Sequence, residues 1–127
     1  MPTMERVKDL IAHVEQGQFI EAMMEFYDEN ATMQENQQAP RACLPTLLEG
    51  ERRVLAAFKE VRTAPVDYFL IDGDRVVIHW TFEFVGDDGL SFLQDELACQ
   101  EWKADKIISE RFYYDPGQRN IRGPARA

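Results

Sequence analysis

An α+β fold is what this 127-residue sequence predicts, and three observations predict it. Apolar residues recur at helical spacing three times in the first half. From Val66 onward the period drops to two, with tight-turn signals between the alternating runs. Helical patterns first and a meander of strands afterwards indicate one sheet curling over the helices. Apolar residues make up 45% and charged residues 29%, an ordinary globular balance, so a single domain is expected, long enough to bury a core without disulfides or a structural metal.

Thr3 is placed to cap a first helix in which Met4, Val7, Leu10, Ile11 and Val14 follow at helical spacing. Gln16-Gly17-Gln18 ends it, and Phe19, Met23, Phe26 and Tyr27 form the stripe of a second helix. That helix is expected to stop on a turn at Asp28-Glu29-Asn30. A short strand follows, with Ala31, Met33 and Glu35 on one face and Thr32 and Gln34 on the other. Residues 37–49, with Pro40 and Pro45 among small and apolar residues, read as a loop or lid. Gly50 leads a third helix carrying Val54, Leu55, Phe58 and Val61, stopped at Thr63-Ala64-Pro65 because the residue before a proline is driven out of the helical region.

Val66 to Asp72 reads as a strand, and Asp72-Gly73-Asp74 as a hairpin turn into Val76–Val85. There Val76, Ile78, Trp80, Phe82 and Phe84 alternate with Val77, His79, Thr81 and Glu83. Gly86-Asp87-Asp88-Gly89 turns the chain into a long strand, Leu90–Trp102, with Gln94, Glu96, Ala98, Gln100 and Trp102 on one side. Lys103-Ala104-Asp105 turns again into a last strand, Ile107–Tyr114, stopped by Asp115-Pro116-Gly117 and followed by a frayed tail.

The net charge is −9, with +2 from Asp115 onward and −11 over residues 1–114. A body that acidic repels phosphate backbones and anionic lipid, which argues against nucleic-acid and membrane partners. No apolar run approaches the roughly 20 residues of a membrane helix, and the early Glu5 is unlike a signal peptide. Cys43 and Cys99 form no Cys-x-x-Cys pair and read as reduced thiols of a cytoplasmic protein, although spacing alone leaves a bridge open. His13 and His79 are the only histidines, and no ligand spacing joins them to a cysteine pair. No metal is expected, and in the absence of a Gly-rich phosphate loop or a nucleophile elbow no cofactor is expected either.

Four stretches look familiar: Tyr27-Asp28-Glu29-Asn30-Ala31-Thr32-Met33-Gln34-Glu35-Asn36, the Gly50-led helix, Phe82-Glu83-Phe84-Val85-Gly86, and Ile107-Ile108-Ser109-Glu110-Arg111-Phe112-Tyr113-Tyr114-Asp115. Together they resemble the nuclear-transport-factor-2-like superfamily, and within it the SnoaL-like and ketosteroid-isomerase-like branch, over roughly residues 4–115. The resemblance implies a cone-shaped, cystatin-like fold. Three N-terminal helices would pack in a strongly curved, mostly antiparallel sheet of four to six strands, with a pocket between the layers. Residues 1–115 would form the SnoaL-like domain and residues 116–127 a flexible tail. The superfold hosts enzymes, binding proteins and adaptors, so the resemblance speaks to fold more than to function.

In that resemblance the general base of ketosteroid isomerases falls on Glu35. Their tyrosine donor falls on Leu10 and their protonated aspartate near Ala98, and neither side chain can stabilise an enolate. Steroid isomerisation is thereby disfavoured. SnoaL-like cyclases place an acid/base carboxylate on the inner sheet face, for which Glu96 is the natural substitute. Strand alternation adds Glu110, so Glu35, Glu96 and Glu110 form the candidate catalytic set. Around them Tyr27, Met33, Trp80 and Phe82, with Ala98, Gln100, Phe112 and Tyr114, form the candidate ligand contacts.

Each of these residues also has a structural reading. Glu35 is a base or the partner of an arginine such as Arg111. Glu96 and Glu110 are acid/base groups or paired sheet residues. Trp80 and Phe82 are a stacking wall or ordinary core. If several of the acids share a pocket, burial and mutual repulsion should raise at least one pKa. Two functional readings follow: a cofactor-free proton-transfer isomerase or cyclase acting on a small apolar or aromatic carbonyl compound, or a non-catalytic ligand-binding or dimerising module. A third, epoxide opening or hydration, needs an inward Asp-Arg-Asp set, and Asp95 and Arg111 have the wrong parity for it. The outer face with Val77, His79 and Thr81 suits pairing of two copies into a homodimer.

Overall fold

In the computed structural model, which describes residues 1–126, the chain lays three helices against one face of a single mixed sheet. Helix α1 (Met4–Glu15) starts where the Thr3 side chain accepts from the Arg6 backbone N–H at 3.1 Å. Its buried face is Val7, Leu10, Ile11 and Val14. Gly17, at φ +79°, makes the reversal into α2 (Phe19–Phe26).

The second helix passes into strand β1 (Tyr27–Glu35) with no intervening turn, which corrects the expected stop at Asp28-Glu29-Asn30. Those three residues form the irregular opening of the strand. Against its parallel partner β7 (Lys106–Tyr113) the register jumps between Tyr27 and Thr32, so the irregularity absorbs the polar triplet and leaves Ala31 and Met33 buried.

Residues 37–49 are not one loop. They contain strand β2 (Arg41–Ala42), which pairs with β1, and the first six residues of α3 (Leu44–Ala57). Pro45 lies in the first turn of α3, where a missing N–H is harmless, so it starts the helix rather than breaking a loop. Gly50 is mid-helix, and the end expected near Thr63 falls at Ala57. Glu60–Thr63 is strand β3. The expected strand over Val66–Asp72 shrinks to β4 (Phe69–Asp72).

The long hairpin is as expected: β5 (Arg75–Val85) pairs with β6 (Leu90–Lys103), and β6 pairs with β7. The six-strand path runs β2-β1-β7-β6-β5-β3, with β4 added on β5. A bulge near Ile108 puts Ile107 and Glu110 on the same inner face, where both are buried.

Between Pro116 and residue 126 the chain is folded, in place of a frayed tail. A 3₁₀ turn (Pro116–Asn120) is followed by strand β8 (Gly123–Pro124), which pairs with Ser91 and Leu90 of β6. Side-chain contacts at both ends also hold this segment. Gln118 exchanges hydrogen bonds with the Asp95 backbone at 2.9 and 3.1 Å. The Arg126 N–H donates to Glu83 at 2.9 Å, a buried carboxylate that also accepts from Arg62 at 3.1 Å and Ser91 at 2.8 Å.

Candidate functional site

Between the helices and the sheet lies a cavity of about 490 Å³. Its walls are mostly apolar. Leu10, Val14, Met23 and Leu47 come from the helices, and Trp80, Phe82, Phe84 and Phe92 from the sheet. Trp80 stacks on Phe82 and Phe84 on Phe92, with ring centroids 5.7 and 5.0 Å apart. Strand alternation carries polar side chains into this lining at regular places. Gln94, Glu96 and Gln100 of β6, Glu110 of β7, and Glu35 at the end of β1 all face the lumen.

Ten of the eleven sequence-predicted site residues line the cavity: Glu35, Glu96 and Glu110, with Tyr27, Met33, Trp80 and Phe82, and with Gln100, Phe112 and Tyr114. Ala98 does not. Its methyl group is fully buried in the core and stops short of the space that Glu96 and Gln100 reach from the same strand. Among the residues outside the sequence-based set that join the lining are Glu51 from α3 and Arg119 from the 3₁₀ turn. Glu51 sits one turn beyond the fully buried Leu47. It is hidden from a reading that starts the helix at Gly50. Arg119 lies in a segment with no apolar periodicity to mark it as folded, and only its charge amid an acidic chain could have pointed to it.

The carboxyls divide into two hydrogen-bonded groups. Deep in the cavity Tyr27 Oη donates to one oxygen of Glu110, and Gln100 Nε2 donates to the other at 2.7 Å. Trp102 Nε1 donates to Gln100 Oε1 at 2.9 Å. Nearer the mouth a chain of bonds crosses four elements. Arg41 Nη2 donates to Glu35 Oε2 at 2.9 Å, and Tyr114 Oη to Glu35 Oε1 at 3.1 Å. Arg119 donates to Tyr114 Oη and to Gln94 Oε1, both at 3.2 Å. Gln94 Nε2 then donates to Glu96 Oε1 at 2.7 Å.

Burial is the main force on Glu96 and Glu110, which are 6% and 3% exposed and are both pushed up to about 7. The Gln94 hydrogen bond opposes the shift at Glu96, while Glu110, Glu35 and Glu51 add repulsion to it. At Glu110 the bonds from Gln100 and Tyr27 oppose it and Glu51 adds to it. Glu51 is raised as well, through burial, with Arg41 pulling the other way. Tyr27 is held well above the phenol range by burial and by Glu110 beside it.

The arginine that pairs with Glu35 is therefore Arg41. Arg111 instead donates to the Asn36 carbonyl at 2.9 Å and lies over the Tyr113 ring. Asp95 bonds His79 on the outer face, so no inward Asp-Arg-Asp set forms among the described residues, and no group of three or more metal-ligating side chains is found among them.

The SnoaL-like domain family matches residues 7–110. Among solved structures, a protein of unknown function with a cystatin-like fold from Xanthomonas campestris superposes with a TM-score of 0.78 at 14% identity, over 93% of this chain and 95% of that one. A hypothetical protein with a ketosteroid-isomerase-like fold from Catenulispora acidiphila, in complex with trimethylamine, gives 0.76 at 16%, over 92% and 90%. A SnoaL-like polyketide-cyclase candidate from Mesorhizobium loti gives 0.75 at 20%, over 90% and 100%. These likenesses are of fold. No curated protein matches the chain.

Proposed function

The chain belongs to the SnoaL-like domain family, and from that premise we propose that its cavity binds a small apolar or aromatic carbonyl compound and moves a proton on it without a cofactor. One observation carries the reading: two carboxyls raised to about 7 inside an aromatic-walled cavity, one of which keeps an oxygen free of any partner. A group that is half protonated near neutral pH is suited to both taking and returning a proton.

Glu96 is the proton carrier. Its Oε1 is occupied by Gln94, and no residue among those described bonds its Oε2. That atom is also not among the sealed, unpartnered ones, so it reaches open lumen. As carboxylate it removes a proton next to the carbonyl, and as acid it returns the proton to a different carbon or oxygen.

The negative charge that develops on the carbonyl oxygen is met by Tyr27 and Glu110. The Trp102 indole can only donate, so Gln100 presents its oxygen to Trp102 and its NH₂ to Glu110. A proton on Glu110 therefore sits on the oxygen facing Tyr27. With Glu110 protonated, Tyr27 would switch from the donor of that bond to its acceptor, which frees its own hydroxyl hydrogen for the cavity that it lines. This unit supplies donors that Leu10 and Ala98 lack. Glu35, with both oxygens occupied by Arg41 and Tyr114, is a fixed charge at the mouth instead of the mobile base that the elbow position suggests.

The non-catalytic reading predicts arginine-neutralised carboxylates, and Glu35 fits it. Its alternative prediction, a pocket filled by its own side chains such as Trp80 and Phe112, is what the open cavity beside Glu35 argues against. Two further elements belong to the proposal. Two copies pair through the outer sheet face, where Tyr68, Leu70 and Tyr113 are exposed. The setting is cytoplasmic, in keeping with the unbridged Cys43 and Cys99, and among the described residues no helix is long and apolar enough to cross a membrane.

2-Tetralone, an aromatic ketone with acidic α-protons, provides the test. Deuterium uptake at its α-carbon in D₂O, followed by NMR, should be accelerated by the protein and slowed about 100-fold or more by Glu96→Gln. Uptake at the same rate with and without protein, or an undiminished rate in Glu96→Gln, sinks the assignment.

A further inference from the structure

Arg119 stands outside the residues that match the family and inside the cavity lining. We infer that Arg119 is a positioning residue: it fixes the Gln94 amide so that the Glu96 proton is carried on the oxygen that faces the lumen. The inference rests on the reading of Glu96 as the proton carrier and deepens it.

A guanidinium donates and never accepts, and Arg119 Nε points at Gln94 Oε1 from 3.2 Å. With its carbonyl oxygen held there, Gln94 must turn its NH₂ to Glu96. Glu96 Oε1 thus faces a donor, and as the acceptor of that bond it is the less favoured oxygen for the proton. The proton goes to Oε2, the oxygen without a partner.

Without Arg119 the amide is free to rotate by half a turn. Its oxygen would then face Glu96 and hold the proton on Oε1, out of reach of a ligand. The same logic operates deeper in the cavity, where the donor-only Trp102 sets Gln100 against Glu110. Two glutamine–glutamate pairs are thus each aligned by a residue that can only donate.

Arg119 is supported from both sides. Its second nitrogen donates to Tyr114 Oη, which is engaged with Glu35, and the segment carrying it is pinned independently by Gln118 on Asp95 and by the β8–β6 pairing. Removing the guanidinium therefore leaves the segment docked. The charged or titratable groups around Glu96 are Glu110 on β7, Glu35 on β1, Glu51 on α3, and Arg119, Arg41, Arg53, Tyr114 and Tyr27 in the same lining.

The experiment follows the Glu96 carboxyl directly by ¹³C NMR titration, assigned with Glu96→Gln, in Arg119→Met, Gln94→Leu and the double variant. Arg119→Met keeps an apolar stem against Tyr114 and removes every donor. Losing the amide donor weakens the carboxylate form, so the Glu96 midpoint should rise by about one pH unit in each single variant. If Arg119 acts through Gln94, the double variant matches Gln94→Leu alone. An unchanged midpoint in Arg119→Met overturns the inference. So does a further rise of similar size on the Gln94→Leu background, which would mean that Arg119 acts through its charge.

Unshifted Asp95 and Gln118 amide signals certify docking. If they move, Arg119→Leu, which also removes every donor, is taken through the same cycle under the same criterion. The titration reads Glu96 whether or not 2-tetralone exchanges, so failure of the proton-transfer reading and failure of this inference are separately visible.

Discussion

Glu110 is buried with both oxygens already engaged, and the consequence is a dependence of folding on pH. Its ordinary carboxyl value applies to the unfolded chain, whereas the folded protein holds it at about 7. Between those values the native state keeps a proton that the unfolded state has released, so stability falls as pH rises through that window and stays lower above it. Glu96 acts in the same direction. Each shift corresponds to about 3 kcal/mol. Urea unfolding should therefore show the wild type several kcal/mol weaker at pH 8 than at pH 5. Glu110→Gln keeps the shape, and its NH₂ can donate to Tyr27 while its oxygen accepts from Gln100. It should remove about 3 kcal/mol of that loss, making the variant the more stable chain at pH 8. Identical pH profiles for the two proteins would exclude a raised Glu110. The inward parity of Glu35, Glu96, Gln100 and Glu110 was legible in the sequence because strand alternation is a strict geometric rule. Their arginine partners were not. Arg41 and Arg119 meet them from a two-residue strand and a 3₁₀ turn, and no periodicity encodes those paths.

Helix α3 shows what an apolar pattern can hide when two elements share it. Val54, Phe58 and Val61 all line the cavity, yet Val54 is helical, Phe58 is the cap and Val61 belongs to β3. A helix end and a strand start here present side chains to the same space, and together they have the spacing of one continuous helical stripe. Pro45 adds to the ambiguity, since a proline in a helix's first turn and a proline in a loop have the same local signature. The misplaced start also assigned Gly50 a boundary role. In the structure it is an interior helical residue, and a Cβ there would stand 3.3 Å from Arg41 Nη1. That atom is the end of a flexible, part-exposed side chain that can move by tenths of an ångström. Gly50→Ala is therefore expected to stabilise the protein by about 0.5–1 kcal/mol, the usual cost of an interior helical glycine, in urea unfolding. A net loss of stability would mean that the Arg41–Glu35 pair is too tightly held by its surroundings to yield.

The whole sheet is covered on one face only, since the three helices all lie on the cavity side. On the other face Tyr68, Leu70 and Tyr113 are 46%, 62% and 39% exposed, and Tyr68 stacks on a His79 held between Asp67 and Asp95. An apolar group of this kind is what the proposed pairing of two copies would bury. Charge works against it, because each copy carries −9. The repulsion acts over a distance and is screened by salt, whereas apolar contact is not. Association should accordingly tighten as salt rises from about 0.01 to 0.5 M, the reverse of an interface held by ion pairs. Sedimentation should give about twice 14.7 kDa at the higher salt. Leu70→Glu should return the mass to that of one chain. Leu70 pairs with Val77 on the outer side, while its neighbours Phe69 and Ile71 pack on the core, so the substitution leaves the cavity lining untouched. A monomer at every salt concentration, or a dimer indifferent to Leu70→Glu, would remove the outer face as the pairing surface and leave its aromatic residues to serve the single chain alone.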